Sequence, residues 1–374
     1  GLLIKKTKVA RCGEHSYPVL SITKQDGIIM QSEKFKKRIA SADTSDYKII
    51  PRGKLVQGIH IDEGNFGIQD IVDNGIVSPA YGVWDVNDGL VIPKYLEMVL
   101  RSPKSIEFYR SKLTGTVNRR GHMSDADFLS MDIPLPDRDT QSKILKTMKQ
   151  TTSVLYSRQQ QLAKLDELIK ARFVEMFGDK NYHYESLINL ILDGTSLSYG
   201  IVQPGNDGTG DMGVLRPVDI VDGKLTMSSI KYIDRSIGEG FKKTELDGDE
   251  LLITVRGTTG ITALTDGRFA GMNVTRGIAV IRYNRKKINP LYLNAYFNTD
   301  ESQRYIQEHT RGATLQQINL SDLRIQRIML PPLSLQNQFA AFVAEVDKSK
   351  LLARLFYNSF FNFGHLFNIT NRFV

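Results

Sequence analysis

Two short stretches of the chain come close to the motifs of enzymes that act on DNA, and neither is complete. Adenine methylation needs Asn-Pro-Pro-Tyr or a close variant, in which the second proline holds the backbone against the target amino group. The chain has Asn-Pro-Leu-Tyr at 289–292, and Leu291 replaces that proline. We interpret Asn289-Pro290 as a helix start instead. A metal-dependent nuclease needs Glu-x-Lys on a strand, whereas "LDELIK" (165–170) has the Glu-x-x-Lys spacing of an ion pair on a helix.

The sequence contains few motifs that would indicate a metal site, a cofactor site or a catalytic nucleophile. No phosphate-binding loop or G-x-G-x-x-G turn is present. A lone Cys12 cannot form an intramolecular disulfide, and no histidine lies three to five residues from another, so a zinc site is not expected. The six histidines are His15, His60, His122, His183, His309 and His365. A Ser/His/Asp arrangement remains open. We predict a binding protein with no catalytic site, metal or cofactor of its own.

Composition favours a folded protein with an anionic partner. The 374 residues suit two or three domains. A net charge of +8 and a pI near 9.3 make nucleic acid the first candidate partner, although a merely soluble basic protein has the same balance. No apolar run approaches the roughly 18 residues of a membrane span, and no signal peptide opens the chain. A cytoplasmic protein without a membrane partner is expected.

One sequence motif occurs twice in the chain. "LPDRDTQSKILKTMKQTTSVL" (135–155) and "LPPLSLQNQFAAFVAEVDKSK" (330–350) share a proline, a turn and a glutamine before a helical pattern. Pro136 matches Pro331 and Gln141 matches Gln336, both 195 residues apart. Further pairs keep the offset at 195 to 197, among them Gly53 with Gly248 and "IPKYLEMVL" (92–100) with "NPLYLNAYF" (289–297). The chain is therefore predicted to be two diverged copies of one unit.

Each copy is predicted to be a mixed α/β globule followed by a long helix. Short apolar runs between Gly and Asp turns, such as "GDELLITV", indicate strands, and helices of about ten residues should follow Pro93 and Pro290. Asp139 and Ser334 are the expected N-caps of the long helices, and Gly178 suits a C-cap of the first. From Asp139 to Phe177 that helix would be about 58 Å long.

Both long helices have an apolar stripe in 4-3-4-3 spacing. In the first copy it comprises Ile144, Met148, Leu155, Leu162, Leu165, Ile169 and Met176, with Thr151, Arg158 and Arg172 at the remaining steps; in the second copy it comprises Leu335, Phe339, Phe342, Val346, Ala353, Phe356, Phe360 and Phe363. Stripes of matched length favour pairing of the two helices, with packing of each helix on its own globule as the alternative. Pairing implies pseudo-twofold symmetry and a fixed distance between two globules, as needed to read two half-sites on DNA.

The ordered motifs of the second copy resemble those of one family. "GDELLITVRGTTG", "NVTRGIAVI", "INPLYLN" and "ATLQQINLSDLRIQRIMLPPLSLQ" are similar to DNA-specificity (S) subunits of type I restriction–modification systems. The resemblance covers essentially the whole chain, including its two-copy layout. It implies target-recognition domains at 1–134 and 179–329 and spacer helices at 135–178 and 330–374, which pair antiparallel. The tail departs from the family, since "YNSFFNFGHLFNITNRFV" lacks the charged face of the first helix.

The resemblance also implies a function. Each domain would read one half of a split target in double-stranded DNA, and the helices would set the gap. The subunit would be non-catalytic and would dock two methyltransferase subunits, which methylate adenine with S-adenosylmethionine. Motor-nuclease restriction subunits would add ATP-dependent cleavage for phage defence, and none of these cofactors would belong to this chain.

Polar loops with glycine neighbours are the expected DNA contacts, because Arg, Asn, Gln and Ser/Thr read base edges from projecting loops. In the second copy they are Arg256, Thr258, Thr259, Asn273, Thr275, Arg276, Arg311, Thr314, Gln316 and Gln317. In the first copy they are Gln57, His60, Ser78, Tyr81, Asn118, Arg119, Arg120 and His122. A solvated loop is the alternative for each. The alternatives for the whole chain are the recognition subunit of another phage-defence complex, an enzyme with its own centre, or a non-specific DNA-binding coiled-coil scaffold.

Overall fold

A computed structural model describes residues 1–34, 43–113, 123–178, 180–205, 208 and 210–365, and of 355–365 the backbone only. The chain divides into two units, one of Gly1–Ser157 with the chain from Ser359, the other of Arg158–Asn358. This division falls inside the first long helix. The sequence predicted four segments, two recognition domains and two spacer helices, which do not coincide with these two units. That four-segment division remains a prediction.

The first unit contains short strands, three short helices after them and the start of a long helix. Its elements are β1 (Ile4–Lys6), β2 (Leu20–Thr23), β3 (Gly27–Met30), α1 (Gln31–Lys34), β4 (Lys48–Pro51), β5 (Leu55–Gln57), β6 (Phe66–Ile68), β7 (Asn74–Val77), β8 (Gly82–Val86), α2 (Pro93–Leu100), α3 (Pro103–Lys112), α4 (Asp125–Leu129) and α5 (Arg138–Phe177), which continues into the second unit.

The second unit repeats this plan with additional short strands. Its elements are β9 (Tyr184–Ser186), α6 (Leu187–Leu190), β10 (Ser198–Tyr199), β11 (Met212–Leu215), β12 (Ile220–Val221), β13 (Lys224–Leu225), β14 (Lys231–Ile233), α7 (Arg235–Gly238), β15 (Leu251–Thr254), β16 (Thr262–Leu264), β17 (Asn273–Val274), β18 (Ile278–Ile281), α8 (Pro290–Phe297), α9 (Asp300–His309), β19 (Thr310–Arg311), β20 (Gln317–Ile318), α10 (Leu320–Ile325), β21 (Arg327–Met329) and α11 (Leu333–His365).

The repeat in the sequence is a repeat of sheet topology. The main antiparallel sheet has the order β1-β8-β5-β6 in the first unit and β10-β18-β15-β16 in the second. Leu55 lies opposite Trp84, and Leu251 lies opposite Ile281 at the corresponding position. The prediction of two similar mixed α/β units, each containing or joined to a long helix, is confirmed.

Both main sheets have a core on each face, which explains their continuous apolar strands. Successive residues of a strand point to opposite faces. Leu55 accordingly joins a cluster formed with helices α2, α3 and α4, while Val56 joins a second cluster with β2 and β3. In the second unit Leu251 faces the helical side and Leu252 faces the β11 side. Each sheet is therefore buried between a helical layer and a smaller β layer.

The matched glycines occupy one backbone conformation. Gly53 and Gly248 precede β5 and β15, with φ of +90° and +89°. This left-handed region favours glycine, because a Cβ there is strained. The pairing of these two glycines from sequence thus reflects the same turn in both units.

The repeated Pro…Gln motif fastens each long helix to a globule. Gln141 Oε1 accepts from the Ile92 N–H (2.8 Å), and its Nε2 donates to the Pro136 carbonyl (2.8 Å). Gln336 does the same with Asn289 N–H (2.9 Å) and the Pro331 carbonyl (2.8 Å). Both glutamines are 0% exposed. Ile92 and Asn289 directly precede α2 and α8, so the motif ties the start of the long helix to the start of the short one.

The predicted helix boundaries are partly correct. Helices α2 and α8 begin at their prolines, and α5 ends at Phe177 just before Gly178, as predicted. The N-cap predictions are wrong. Asp137, not Asp139, caps α5, since its Oδ1 accepts from the Thr140 N–H at 2.9 Å. In α11, Ser334 lies inside the first turn, because the Pro332 carbonyl already accepts from the Leu335 N–H.

The apolar stripe of α5 is its least exposed face. Positions 144, 148, 151, 155, 158, 162, 165, 169 and 172 are half-buried, and Phe173, Met176 and Phe177 are buried. Of the residues predicted for the helix pair, Ile144 packs with Leu145 against the first unit's helical cluster instead. For Ile144 the alternative prediction is therefore correct: this part of the helix packs on its own globule.

Within the second unit, α5 and α11 pair antiparallel. The Phe173 ring lies 5.4 Å from that of Phe339, while Asp166, earlier in α5, reaches Lys350, later in α11, at 2.6 Å. Phe339 and Val346 are buried and Phe342 is half-buried, with the Arg172 guanidinium 5.7 Å from its ring. The side chain of Phe356 lies outside the described residues. Antiparallel pairing is thus confirmed for this part of the helices.

We predict that Gln336→Ala lowers the free energy of unfolding by about 1–3 kcal/mol, because a backbone N–H and a carbonyl lose their buried partner. Chemical denaturation measures the change. Gln338→Ala, on the exposed face of the same helix, is the matched control and should shift stability by less than about 0.5 kcal/mol. Equal small losses in both variants would contradict the anchoring role of Gln336.

Candidate nucleic-acid interface

Two of the polar loops predicted in the second unit leave the main sheet at the same end. Thr254, the last residue of β15, pairs with Ile278, the first residue of β18. The segment after Thr254 and the segment before Ile278 therefore emerge side by side. A hydrogen bond from the Val255 N–H to the Gly277 carbonyl (2.8 Å) continues this pairing beyond the strands.

The third predicted loop is joined to the first by backbone bonds. The hairpin formed by β19 and β20, residues 310–318, lies beside the extension of β15. The Ile318 N–H donates to the Val255 carbonyl (3.0 Å), and the Gly257 N–H donates to the Gln316 carbonyl (2.8 Å). The hydroxyls of Thr259 and Thr310 are 2.9 Å apart. All three segments thus meet at one sheet end, which we call the arginine end for its residues Arg256, Arg276 and Arg311.

Exposed and anchored residues alternate at the arginine end. Thr258, Arg276, Arg311, Thr314 and Gln316 are exposed, whereas Arg256, Thr259, Thr275 and Gln317 are half-buried. The Arg311 side chain is 72% exposed, and its nearest carboxylate, that of Asp322, is 3.8 Å away. The exposed side chains therefore supply cationic, donor and acceptor groups on a backbone that the sheet holds in place.

Asn273, also predicted as a contact, is an internal residue. It is 1% exposed. Its Oδ1 accepts from the Thr244 hydroxyl (2.8 Å) and from the Val274 N–H (2.8 Å), and its Nδ2 donates to the Phe241 carbonyl (3.2 Å). A buried amide with these partners supports the loop from behind, so we leave it out of the proposed contacts.

Two segments that sequence reasoning missed reach the same end. The Arg276 N–H donates to the Ile201 carbonyl (2.9 Å), and the Thr275 N–H donates to the Leu215 carbonyl (2.9 Å). The chain continues from these points into Val202 and Val218, which are 48% and 68% exposed. The stretch around Val218 lacks the glycine-flanked polar pattern on which the prediction depended, and strand pairing brings both stretches to this end.

The first unit builds a matching sheet end from fewer polar groups. Gln57 ends β5 opposite Gly82, which begins β8. Gln57 is half-buried, and its Oε1 accepts from the Trp84 indole N–H at 2.9 Å, so it serves the core. His60 is exposed on the loop that follows.

The remaining first-unit residues lie in a turn before β8 or outside the described residues. Ser78 accepts from the Ala80 N–H at 3.4 Å. Tyr81 packs against the β2–β3 side of the sheet, where burial raises the pKa of its phenol. The expected contacts Asn118, Arg119, Arg120 and His122 lie outside the described residues.

Other kinds of site, such as a metal centre or a ligand pocket, have fewer of the groups they would need in the described part of the chain. Across the described ranges, no group of three or more His, Cys, Asp or Glu side chains could hold a metal ion. An open pocket of about 620 Å³ beside Lys242, Lys243 and Arg282 lies at the sheet end opposite the arginine end, since Arg282 follows the last residue of β18. The Arg282 guanidinium already has a partner within the protein, because it donates to the Lys243 carbonyl (2.6 Å). Within the described part of the chain, no helix has the length and apolarity to cross a membrane.

Comparisons with known proteins point to one family. The family model of the type I restriction modification DNA specificity domain matches residues 209–355, from β11 into α11. Residues 209–355 are thus similar to the DNA specificity domain of type I restriction–modification systems. The specificity subunit of the Escherichia coli enzyme EcoBI is 25% identical over 160 residues, which are 43% of this chain and 34% of that protein.

An archaeal relative and two solved structures agree. The MjaX subunit of Methanocaldococcus jannaschii, a putative type I specificity subunit, is 22% identical over 70% of this chain and 63% of its own length. The matches to both relatives therefore span less than two thirds of those proteins. A chain from a structural study of complex assembly and conformational transition in the type I R-M system has a TM-score of 0.58, with 16% identity over 97% of this chain and 96% of that one. The M. genitalium S subunit has a TM-score of 0.51, with 11% identity over 96% and 90%. These two structures share the fold.

We predict that Gly312→Ala disrupts the β19–β20 hairpin. Gly312 has a φ of +104°, and a Cβ there would lie 2.3 Å from the Leu315 carbonyl oxygen. The amides of Gly257 and Ile318, whose hydrogen bonds join the hairpin to the extension of β15, should then lose protection from hydrogen exchange. Gly267→Ala, where a Cβ meets nothing within 4 Å, should leave them protected. Unchanged protection in Gly312→Ala would show that the turn tolerates a side chain.

Proposed function

We propose that this chain is the DNA-recognition subunit of a type I restriction–modification complex. It reads a bipartite target in double-stranded DNA and docks two methyltransferase subunits, to which motor-nuclease subunits are added. The chain itself is non-catalytic and uses no cofactor. A subunit that reads cellular DNA in this way works in the cytoplasm.

The convergence of three polar segments at the arginine end carries the proposal. Base edges in the major groove are read by Arg on guanine and by Asn or Gln on adenine, while Thr serves several bases. Arg311, Thr314 and Gln316 supply such groups on an exposed hairpin. A two-stranded ribbon fits the major groove, and the backbone bonds to Val255 and Gly257 hold this ribbon in place before DNA arrives. Preorganisation of this kind reduces the entropy lost on binding.

The second half of the proposal is a second reader. The equivalent sheet end of the first unit, with His60 exposed, would read the other half-site. In this proposal the recognition domains are residues 1–134 and 179–329, and the spacer helices are 135–178 and 330–374. The 40 residues of α5 correspond to about 60 Å at 1.5 Å per residue, which would separate the half-sites by a fixed gap.

Methyltransferase docking is proposed on the outward faces of the long helices. Large apolar side chains are exposed there, on α5 at Tyr156 (62%) and Val174 (63%), and on α11 at Leu351 (58%) and Leu352 (60%). Leu351 and Leu352 are neighbours, and an exposed apolar pair of this kind is a surface that a protein partner can bury. The same faces point away from the buried stripe, so a partner could bind without disturbing the helix pair.

A binding selection tests the function. The chain is co-expressed with a methyltransferase subunit from the same organism's type I system and offered a random duplex library. We expect a split motif with a fixed gap. Arg311→Ala should relax base preference in one half only, because that side chain belongs to one reader. Arg268→Ala, an exposed arginine paired with Asp266 in the turn before β17, should leave both halves intact.

The alternatives give different selections. A single continuous motif, or none, would reject a two-site reader and would leave a general DNA-binding scaffold. Methylation or cleavage by this chain alone, with S-adenosylmethionine or magnesium, would reject the non-catalytic role.

We also predict that Arg276→Ala reduces the salt dependence of DNA binding. A cation that neutralises one phosphate releases about one counterion, so the slope of log K against log[salt] should fall by about 1. Titrations of a selected duplex at several salt concentrations measure this slope. Arg268→Ala is again the control, and an unchanged slope in Arg276→Ala would remove Arg276 from the phosphate contacts.

A further inference from the structure

Leu315 is an exposed aliphatic residue among polar neighbours at the arginine end. It lies at the tip of the β19–β20 hairpin between Thr314 and Gln316, and it is 48% exposed. Arg311 pairs with Gln317 where the loop of the same hairpin begins. Leu315 is the large apolar side chain among the exposed residues of this hairpin, so it is the hairpin group that can bury apolar surface against a bound partner.

The tip is held in position. Gly312, with a φ of +104°, lets the backbone approach so closely that a Cβ there would be 2.3 Å from the Leu315 carbonyl oxygen. On the other side, the Gln316 carbonyl accepts from the Gly257 N–H at 2.8 Å, and Gln317 bridges to Arg256. Leu315 is therefore fixed between two anchored points, and its side chain projects from a defined location beside Thr314 and Gln316.

The major groove of DNA displays one apolar group that distinguishes a base, the 5-methyl of thymine. Polar groups beside Leu315 can bond to the neighbouring base edges, and the leucine cannot. Its complement in the groove is consequently the thymine methyl, whose burial excludes water from both apolar surfaces.

We propose that Leu315 is a specificity-determining residue that selects a thymine in the half-site of the second unit by contact with its 5-methyl group. This proposal rests on the proposed function and adds one base to it. It also predicts that the half-site contains at least one A·T pair that is read in the major groove.

The test uses duplexes that carry the selected split motif, with each thymine of that half replaced in turn by uracil, which lacks only the methyl. Binding is measured for the chain in complex with its methyltransferase subunits. Wild type should bind one uracil duplex about fourfold more weakly, the effect of one methyl group left unburied. Leu315→Ala should bind that uracil duplex and the thymine duplex equally.

Leu192→Ala is the matched control. Leu192 is 47% exposed and lies near the opposite end of the sheet, since its N–H donates to the Arg282 carbonyl just after β18. It should keep the fourfold preference. Equal weakening of thymine and uracil duplexes by Leu315→Ala would assign the side chain to general packing or to a wedge between base pairs, and would overturn the methyl contact.

Two further outcomes separate this inference from the function beneath it. A split motif with no thymine on either strand of the half read by the second unit would overturn the role of Leu315 alone. So would uracil duplexes that all bind the wild-type protein as tightly as the thymine duplex. The absence of any split motif overturns the proposed function itself, and hence both.

Discussion

A buried glutamine side chain is the constraint on which the rest of each unit depends. The first N–H groups of a helix have no partner within the helix. The N–H of the residue just before a proline-started helix also needs a partner from elsewhere in the chain. Gln141 and Gln336 bond to such an N–H, that of Ile92 or Asn289, and also to the carbonyl of the proline five residues upstream. One side chain thereby fixes the end of the globule, the turn and the first turn of the long helix together. A buried amide without these partners is costly, so the geometry tolerates little variation.

The anchored helix start has consequences for the sheet. Tyr95 and Tyr292, in the short helices that the glutamines fasten, donate to the carbonyls of Pro134 and Met329 at 3.0 and 2.8 Å. Their rings belong to the helical cores against which β5 and β15 pack. The places where the loops at the far ends of those strands leave the sheet are then set by strand pairing, while turn glycines such as Gly312 shape the loops themselves. The arginine end can therefore vary in side chains while its backbone stays in place.

Local patterns predicted the parts of the fold that depend on local physics. The proline-started helices, the turn glycines and the half-buried stripe of α5 follow from backbone preference and from the 3.6-residue period. The predictions failed where a distant partner decides. Asp139 loses the cap to Asp137 because the glutamine bond to Pro136 places the helix start earlier, and Asn273 is drawn inside by Thr244, 29 residues away. Val202 and Val218 reach the arginine end only through long-range strand pairing, which no short motif reveals.

Lys350 shows a second kind of constraint, one that acts on specificity more than on stability. Its side chain is 7% exposed on the paired face of α11, with Nζ 2.6 Å from Asp166 and 3.4 Å from Asp347. The pair adds little net stability, since the Asp166 side chain is 63% exposed and ion pairs in contact with water are weak. A slip of one helical turn, about 5.4 Å, would however carry the ammonium out of reach of Asp166 while leaving the apolar contacts exchangeable. The ion pair therefore favours one register of α11 on α5 within the second unit, and it does so through a charged contact that the apolar stripe alone would not specify.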